Sequence, residues 1–169
     1  QALNYCQGVI EKRSTLPILS NILLEVKNSK LTITATDLDL IFIHYLDNVA
    51  IIEEGKTTTT SSIMYDIVRK FTPGKKINLS LSDGSKLQLE SENSIFNLNC
   101  INSSEFPLTD ENFDQDEFLI KSKQLLKLLN KCKFSVSNDE TRHYLSGIYF
   151  HQTEVDDKNY LTAVATDSH

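Results

Sequence analysis

Leu31-Thr32-Ile33-Thr34-Ala35-Thr36-Asp37 returns later in the chain as Leu161-Thr162-Ala163-Val164-Ala165-Thr166-Asp167, 130 residues on. Both stretches are β-branched and apolar and close on Ala-Thr-Asp, so both read as strands. Working outward, Leu19-Ser20-Asn21-Ile22 returns as Leu145-Ser146-Gly147-Ile148 at an offset of 126, and Leu3 and Cys6 return as Leu129 and Cys132 at the same offset. A helix, a strand, a turn and a second strand therefore occur twice in the same order. A period near 126 residues is too long for a solenoid and implies duplicated whole domains, the second truncated. The alternative is chance likeness between two amphipathic hairpins, and the agreement of helix, loop and strand residues in register weighs against it. The four extra residues between the two offsets are assigned to a longer turn, the polar Glu154-Val155-Asp156-Asp157-Lys158-Asn159.

The first helix is expected over 1–11, with Ala2, Leu3, Cys6, Val9 and Ile10 on one face. Pro17 stands at a tolerable strand start, and 18–26 reads as a strand. Asn28-Ser29 turns the chain into the strand Lys30–Thr36, and 40–46 and 56–60 follow as further extended runs. Ser61 and Ser62 are candidate caps for a second helix whose face is Ile63, Met64, Ile67, Val68 and Phe71, with Pro73-Gly74 to end it. Three short alternating runs come next, built on Ile77/Leu79/Leu81, Leu87/Leu89 and Ile95/Phe96/Leu98, with Asp83-Gly84 as a turn. The acidic stretch 110–117 is the linker candidate; it lacks the spacing of a calcium loop. Beyond it, Phe118-Leu119-Ile120 reads as a strand. Ser122 caps a third helix with Leu125, Leu126, Leu129 and Cys132 on its face, and strands are expected around 144–151 and 160–165. The fold class is α+β, with domain one at 1–115 and the first part of domain two at 116–169.

Composition narrows the function classes. The 169 residues are 40% hydrophobic and 24% charged, which suits a soluble protein with a real core. No apolar run approaches the roughly 20 residues of a membrane helix, and no signal peptide opens the chain. Cys6, Cys100 and Cys132 are few, odd in number and far apart, which argues against a disulfide framework, fits a reducing cytoplasm and reads as three buried small hydrophobes. Their spacing binds no metal, and no cofactor is expected. The ends read as cut, since Gln1 begins inside an amphipathic pattern and His169 follows a strand directly. The net charge of −6 argues against nucleic-acid binding unless the basic residues are gathered on one surface.

Arg13-Ser14-Thr15-Leu16-Pro17-Ile18-Leu19-Ser20-Asn21-Ile22, followed by Ala35-Thr36-Asp37-Leu38-Asp39, resembles the first domain of the bacterial DNA polymerase III beta subunit family. Phe106-Pro107, Arg142-His143-Tyr144-Leu145-Ser146-Gly147-Ile148 and Ala165-Thr166-Asp167-Ser168-His169 match later motifs of that family, so the resemblance runs along essentially the whole chain. It implies a DNA-clamp fold: like-folded domains, each with two helices on one layer backed by antiparallel sheets, here without the first strand of domain one. It also implies a homodimeric ring that slides on duplex DNA without reading sequence. Its partners would be the polymerase III alpha subunit, the clamp loader and other clamp-binding proteins, and no membrane is involved. A ring that slides needs weak phosphate contacts from a modest number of Lys and Arg on the inner helices. An acidic outer surface then accounts for the net charge.

Expected DNA-facing residues are Arg13, Arg69 and Lys70, with Lys12 beside them, and His143 and Tyr144 where the family offers two Tyr. Asp139 stands near an expected neutral amide contact, which counts against that loop. Leu145, Thr166, Ser168 and His169 match positions of the family's partner-peptide groove. Ser168 replaces a family Gly, which forces altered backbone geometry if that position has positive φ. The strand over 94–100 should be an edge that pairs with a second subunit, through Ile95 and Leu98. Each of these residues has a plainer reading as solvated charge or core packing. A non-enzymatic interaction module of duplicated α+β domains, unrelated to DNA, is the second reading. A hydrolase using His169 is the third. Neighbouring residues on a strand point to opposite faces, so Ser168 and His169 make a poor nucleophile and base, and no catalytic motif is present.

Overall fold

The computed structural model describes residues 1–10, 15–82, 85–108 and 118–168. The predicted Asp83-Gly84 turn and the 110–117 linker lie outside these. The chain forms two compact units, Gln1–Glu111 and Asn112–His169.

In the first unit, helix α1 (Ala2–Val9) leads through a 3-10 turn (Pro17–Ser20) into strands β1 (Asn21–Lys27), β2 (Lys30–Thr36), β3 (Ile41–Leu46) and β4 (Gly55–Thr60). Helix α2 (Ser61–Val68) and strands β5 (Asn78–Ser82), β6 (Lys86–Ser91) and β7 (Ser94–Asn99) complete it. Both sheets are antiparallel, in the orders β3-β2-β1-β4 and β5-β6-β7. The helices lie against each other, α1 also meeting β2 and β3 and α2 meeting β4. Ala2, Leu3 and Cys6 of α1 and Met64 of α2 pack with Ile22, Leu24, Leu31, Ile33 and Ala35 of the first sheet. Leu87, Leu89 and Leu98 of the second sheet join the same cluster. One core thus lies under a helical layer and between two sheets, the α+β arrangement expected.

The buried polar groups are as specific as the apolar ones. Asn21 donates from Nδ2 to Thr58 Oγ1 at 3.0 Å and accepts from Thr60 Oγ1 at 3.2 Å. Thr58 in turn donates to the Ile101 carbonyl at 2.7 Å. This network joins β1, β4 and the segment after β7, and an amide buried there is tolerable only because it is paired.

Several expected boundaries are corrected. The first strand begins at Asn21 rather than 18, because Pro17, with fixed φ and no N–H, opens a 3-10 turn that buries Leu19. The caps of α2 and α3 are Thr60 and Lys121, so Ser61 and Ser122 are the first helical residues, and Ser61 is fully buried and accepts from Gln7 Nε2 at 2.6 Å. Ile63, expected on the buried face of α2, is half exposed. Only Cys6 of the three cysteines is fully buried; Cys100 and Cys132 are partly covered.

In the second unit, helix α3 (Ser122–Cys132) is followed by 3-10 turns at Lys133–Ser135 and Glu140–Leu145 and by the hairpin β8 (Tyr149–Val155) and β9 (Lys158–Val164). Phe118, Leu119 and Ile120 enter no strand pairing, and Leu126, expected on the apolar face of α3, is exposed. Tyr144 and Leu145 lie in a 3-10 turn, as Leu19 does in the first unit, instead of in a strand. The repeat holds to the register. Leu23 opposes Thr34 and Tyr149 opposes Val164, while Lys27 opposes Lys30 and Thr153 opposes Tyr160. Both hairpins close on two residues of positive φ, Asn28 and Ser29 in one, Asp156 and Asp157 in the other, the geometry that matches strand twist. The four extra residues therefore do not enlarge the turn. They add two rungs, Glu154 opposite Asn159 and Val155 opposite Lys158.

Candidate clamp surfaces

The helices of the first unit carry almost no charge: α1 has none, and Asp66 is the single charged residue of α2. Arg69 and Lys70 lie just past the end of α2, not on its polar face as expected, because the chain tightens there, Lys70 N–H bonding to the Ile67 carbonyl at 3.0 Å. Arg69 pairs with Asp66 at 3.2 Å and lies 5.6 Å from the centre of the Tyr65 ring. Part of its charge is thus already compensated. Lys70 is exposed and, among the described residues, makes no ion pair. Lys12 and Arg13 lie outside the described residues.

The basic surface sits elsewhere. Lys123, Lys127 and Lys131 recur every four residues along the exposed side of α3, flanked by the exposed Lys121 and Lys133. Residues four apart on a helix are neighbours on one face, and α3 contains no acidic residue. Its other side, with Leu125, Leu129 and Cys132, is partly covered, and the Cys132 thiol donates to the Ala163 carbonyl of β9 at 3.4 Å. The pattern Lys-x-x-x-Lys-x-x-x-Lys was legible and was missed because the helix was read for its apolar face alone. This segregation answers the objection from net charge.

The turn Glu140–Leu145 exposes His143 and Tyr144, their rings edge to face at 6.1 Å and Tyr144 72% exposed. Asp139 caps this turn. It accepts from Thr141 N–H at 3.0 Å, from Thr141 Oγ1 at 2.6 Å and from Arg142 Nε at 2.8 Å. The Thr141 hydroxyl, then its backbone N–H, and then Arg142 hold the carboxyl below its ordinary range. The negative charge that counted against the loop is therefore spent on holding it.

Because β8 and β9 run antiparallel with Tyr149 opposite Val164, the residues before β8 and after β9 meet at one end of the hairpin. Leu145, half-buried, enters that end, and Thr166 and Ser168, both exposed, leave it. Ser168 has a φ of 75°, the left-handed geometry that its place at a family Gly made conditional. His169 lies outside the described residues.

Strand β7 is an edge of its sheet. Ile95 is 59% exposed, whereas Leu98, at 7%, packs in the core opposite Leu87. The expectation that Leu98 presents its side chain at that edge is corrected: it faces inward. Phe96, half-exposed and 5.9 Å from the ring of Phe71, flanks Ile95 and was not singled out from sequence. Among the described residues, no His, Cys, Asp or Glu side chains are grouped to hold a metal ion. No helix there is long and apolar enough to cross a membrane.

The family model described as DNA polymerase III beta subunit, N-terminal domain, matches residues 1–110, and that for the central domain matches 119–169. The chain belongs to the DNA polymerase III beta subunit family. Within this family, the beta sliding clamp of Caulobacter vibrioides is 37% identical over 171 aligned residues, covering all of this chain and 45% of that protein. The beta sliding clamp of Escherichia coli K12 is 32% identical over 99% of this chain and 44% of its own length. The chain thus spans a little under half the length of these relatives. The crystal structure of the Caulobacter crescentus clamp aligns with a TM-score of 0.93 at 36% identity, over 99% of this chain and 45% of that one. The sliding clamp of Bartonella birtlesii, solved bound to griselimycin, aligns with the same TM-score at 37% identity, over 99% of this chain and 44% of that one.

Proposed function

We propose that these 169 residues are the first domain, at 1–115, and the start of the second, at 116–169, of a non-catalytic sliding clamp. Such a clamp encircles duplex DNA in the cytoplasm and tethers the replicative polymerase. The observation that carries this reading is the likeness in fold and sequence to beta sliding clamps along the whole chain. The lysine row of α3 supports it further, as a basic helical surface on an acidic protein. The DNA-facing set is Arg13, Arg69, Lys70, His143 and Tyr144, to which the row adds Lys123, Lys127 and Lys131. Leu145, Thr166, Ser168 and His169 form one side of a groove for short partner peptides with Leu or Phe anchors. Those peptides would come from the polymerase III alpha subunit, the clamp loader and other clamp-binding proteins. The β7 edge, through Ile95 and Phe96, joins a second copy head to tail.

Topology rather than affinity supplies processivity in such a ring, and this gives the test. A full-length clamp carrying these residues, loaded on nicked circular DNA, should remain bound through gel filtration in high salt. It should run off once the circle is cut to a linear molecule. Release by salt from the circle, with no effect of linearisation, would replace the ring by ordinary electrostatic binding.

A further inference from the structure

The two copies of the repeat share a turn that their sequences do not announce. After β2, Leu38 N–H donates to Thr36 Oγ1 at 3.0 Å and Leu38 has a φ of 85°. After β9, Ser168 N–H donates to Thr166 Oγ1 at 3.0 Å and Ser168 has a φ of 75°. Neither residue is glycine, so both sit in the left-handed region that side chains disfavour. In each copy the threonine two residues earlier is the acceptor for the amide of the strained residue. A non-glycine residue keeps such a backbone only where its surroundings hold it there.

The two copies differ in what surrounds the turn. In the first unit Thr36 is almost fully buried, and Asp37 Oδ1 accepts both Asp39 N–H at 3.1 Å and Leu40 N–H at 2.7 Å as the chain enters β3. There the turn is a connection between strands. In the second unit Thr166 and Ser168 are both exposed at the end of the hairpin where Leu145 enters. The strained backbone there lies on a surface, where it sets the direction of the chain leading to His169.

Resting on the peptide-groove reading above, we propose that Thr166 is a positioning residue for that groove. Its hydroxyl latches the Ser168 N–H, holds residue 168 left-handed without a glycine, and so fixes the groove edge that an extended Leu/Phe-anchored peptide meets. Loss of the acceptor lets Ser168 relax to the extended region, turning the following residue away from the groove. Glycine at 168 has no such preference and does not need the latch.

The test measures binding of a fluorescein-labelled pentapeptide with one Gln and with Leu and Phe anchors to a full-length clamp, by fluorescence anisotropy. Thr166→Val should weaken binding about 5- to 10-fold, the effect of one hydrogen bond. Thr166→Ser, which keeps the hydroxyl, should stay within about 2-fold of the unsubstituted clamp. Adding Ser168→Gly to Thr166→Val should recover most of the loss, a rescue that direct contact between Thr166 and the peptide would not produce. Retention on circular DNA reports that each variant still folds and closes. No peptide binding by the unsubstituted clamp would overturn the groove reading, and this inference with it. Undiminished binding by Thr166→Val, or a loss that Ser168→Gly leaves in place, would overturn the latch alone.

Discussion

Burial pushes the Cys6 thiol up to about 11, because a thiolate has no solvent to stabilise it between α1 and the sheet beneath. The thiolate is the reactive form, so at neutral pH Cys6 should react with a disulfide reagent at least about 10-fold more slowly than Cys100 and Cys132. Timed alkylation followed by peptide mass mapping reads this directly; equal rates at all three thiols would mean that the core opens freely. The same shift has a sign in stability. A folded-state value above the ordinary 9.0 favours the protonated fold, so this contribution is complete below pH 9 and fades as pH rises toward 11. Asn21 is the polar counterpart at this scale. Its amide is legible in the sequence only as a polar residue at a strand start, yet it is the centre of the network that ties β1 to β4.

At the scale of the element, β7 separates two residues that the sequence treated alike. Ile95 and Leu98 are three apart, an odd spacing, so on a strand they point to opposite faces. The pairing of Leu87 with Leu98 turns Leu98 toward the core and leaves Ile95 outside. Leu98→Ala should therefore lower the stability of the chain by about 2–5 kcal/mol in denaturant unfolding, the usual cost of a cavity. Ile95→Asp should change it by no more than about 0.5 kcal/mol, while weakening self-association of a full-length clamp in analytical ultracentrifugation. An Ile95→Asp protein that dimerises normally would remove β7 from the subunit contact. The hairpins teach a related point. The extra length of the second one went into two more rungs because Asp156 and Asp157 close a two-residue turn like that of Asn28 and Ser29, and a symmetric four-residue addition preserves register.

At the scale of the whole molecule, 17 basic residues against 23 acidic ones are compatible with DNA only through segregation. Lys123, Lys127 and Lys131 on one side of α3, with no acid among them, are that segregation. Replacing all three by Ala in a full-length clamp should make the slope of log affinity for duplex DNA against log salt shallower by roughly one unit per lysine. Ring retention on closed DNA should persist. An unchanged slope would move the phosphate contacts to another surface. Arg69, already paired with Asp66, should contribute less than any one of these lysines.

Local order was open to the sequence alone: the helical faces of α1 and α3, the strand pair with its Asn28-Ser29 turn, and the duplication, each a matter of periodicity or of residues near in the chain. The family, too, was legible, because its motifs are short runs that survive without their context. What the tertiary structure decided depends on partners distant in sequence. Leu98 is core because β6 lies beside it, Asn21 is buried because Thr58 and Thr60 face it, and Pro17 begins a turn rather than a strand because Leu19 has a core to enter. Ser168 stands in a left-handed backbone where its own side chain favours an extended one, since Thr166 holds its amide. Pattern reports what a segment prefers, whereas burial and hydrogen-bond pairing, made between segments, determine which preferences are overruled.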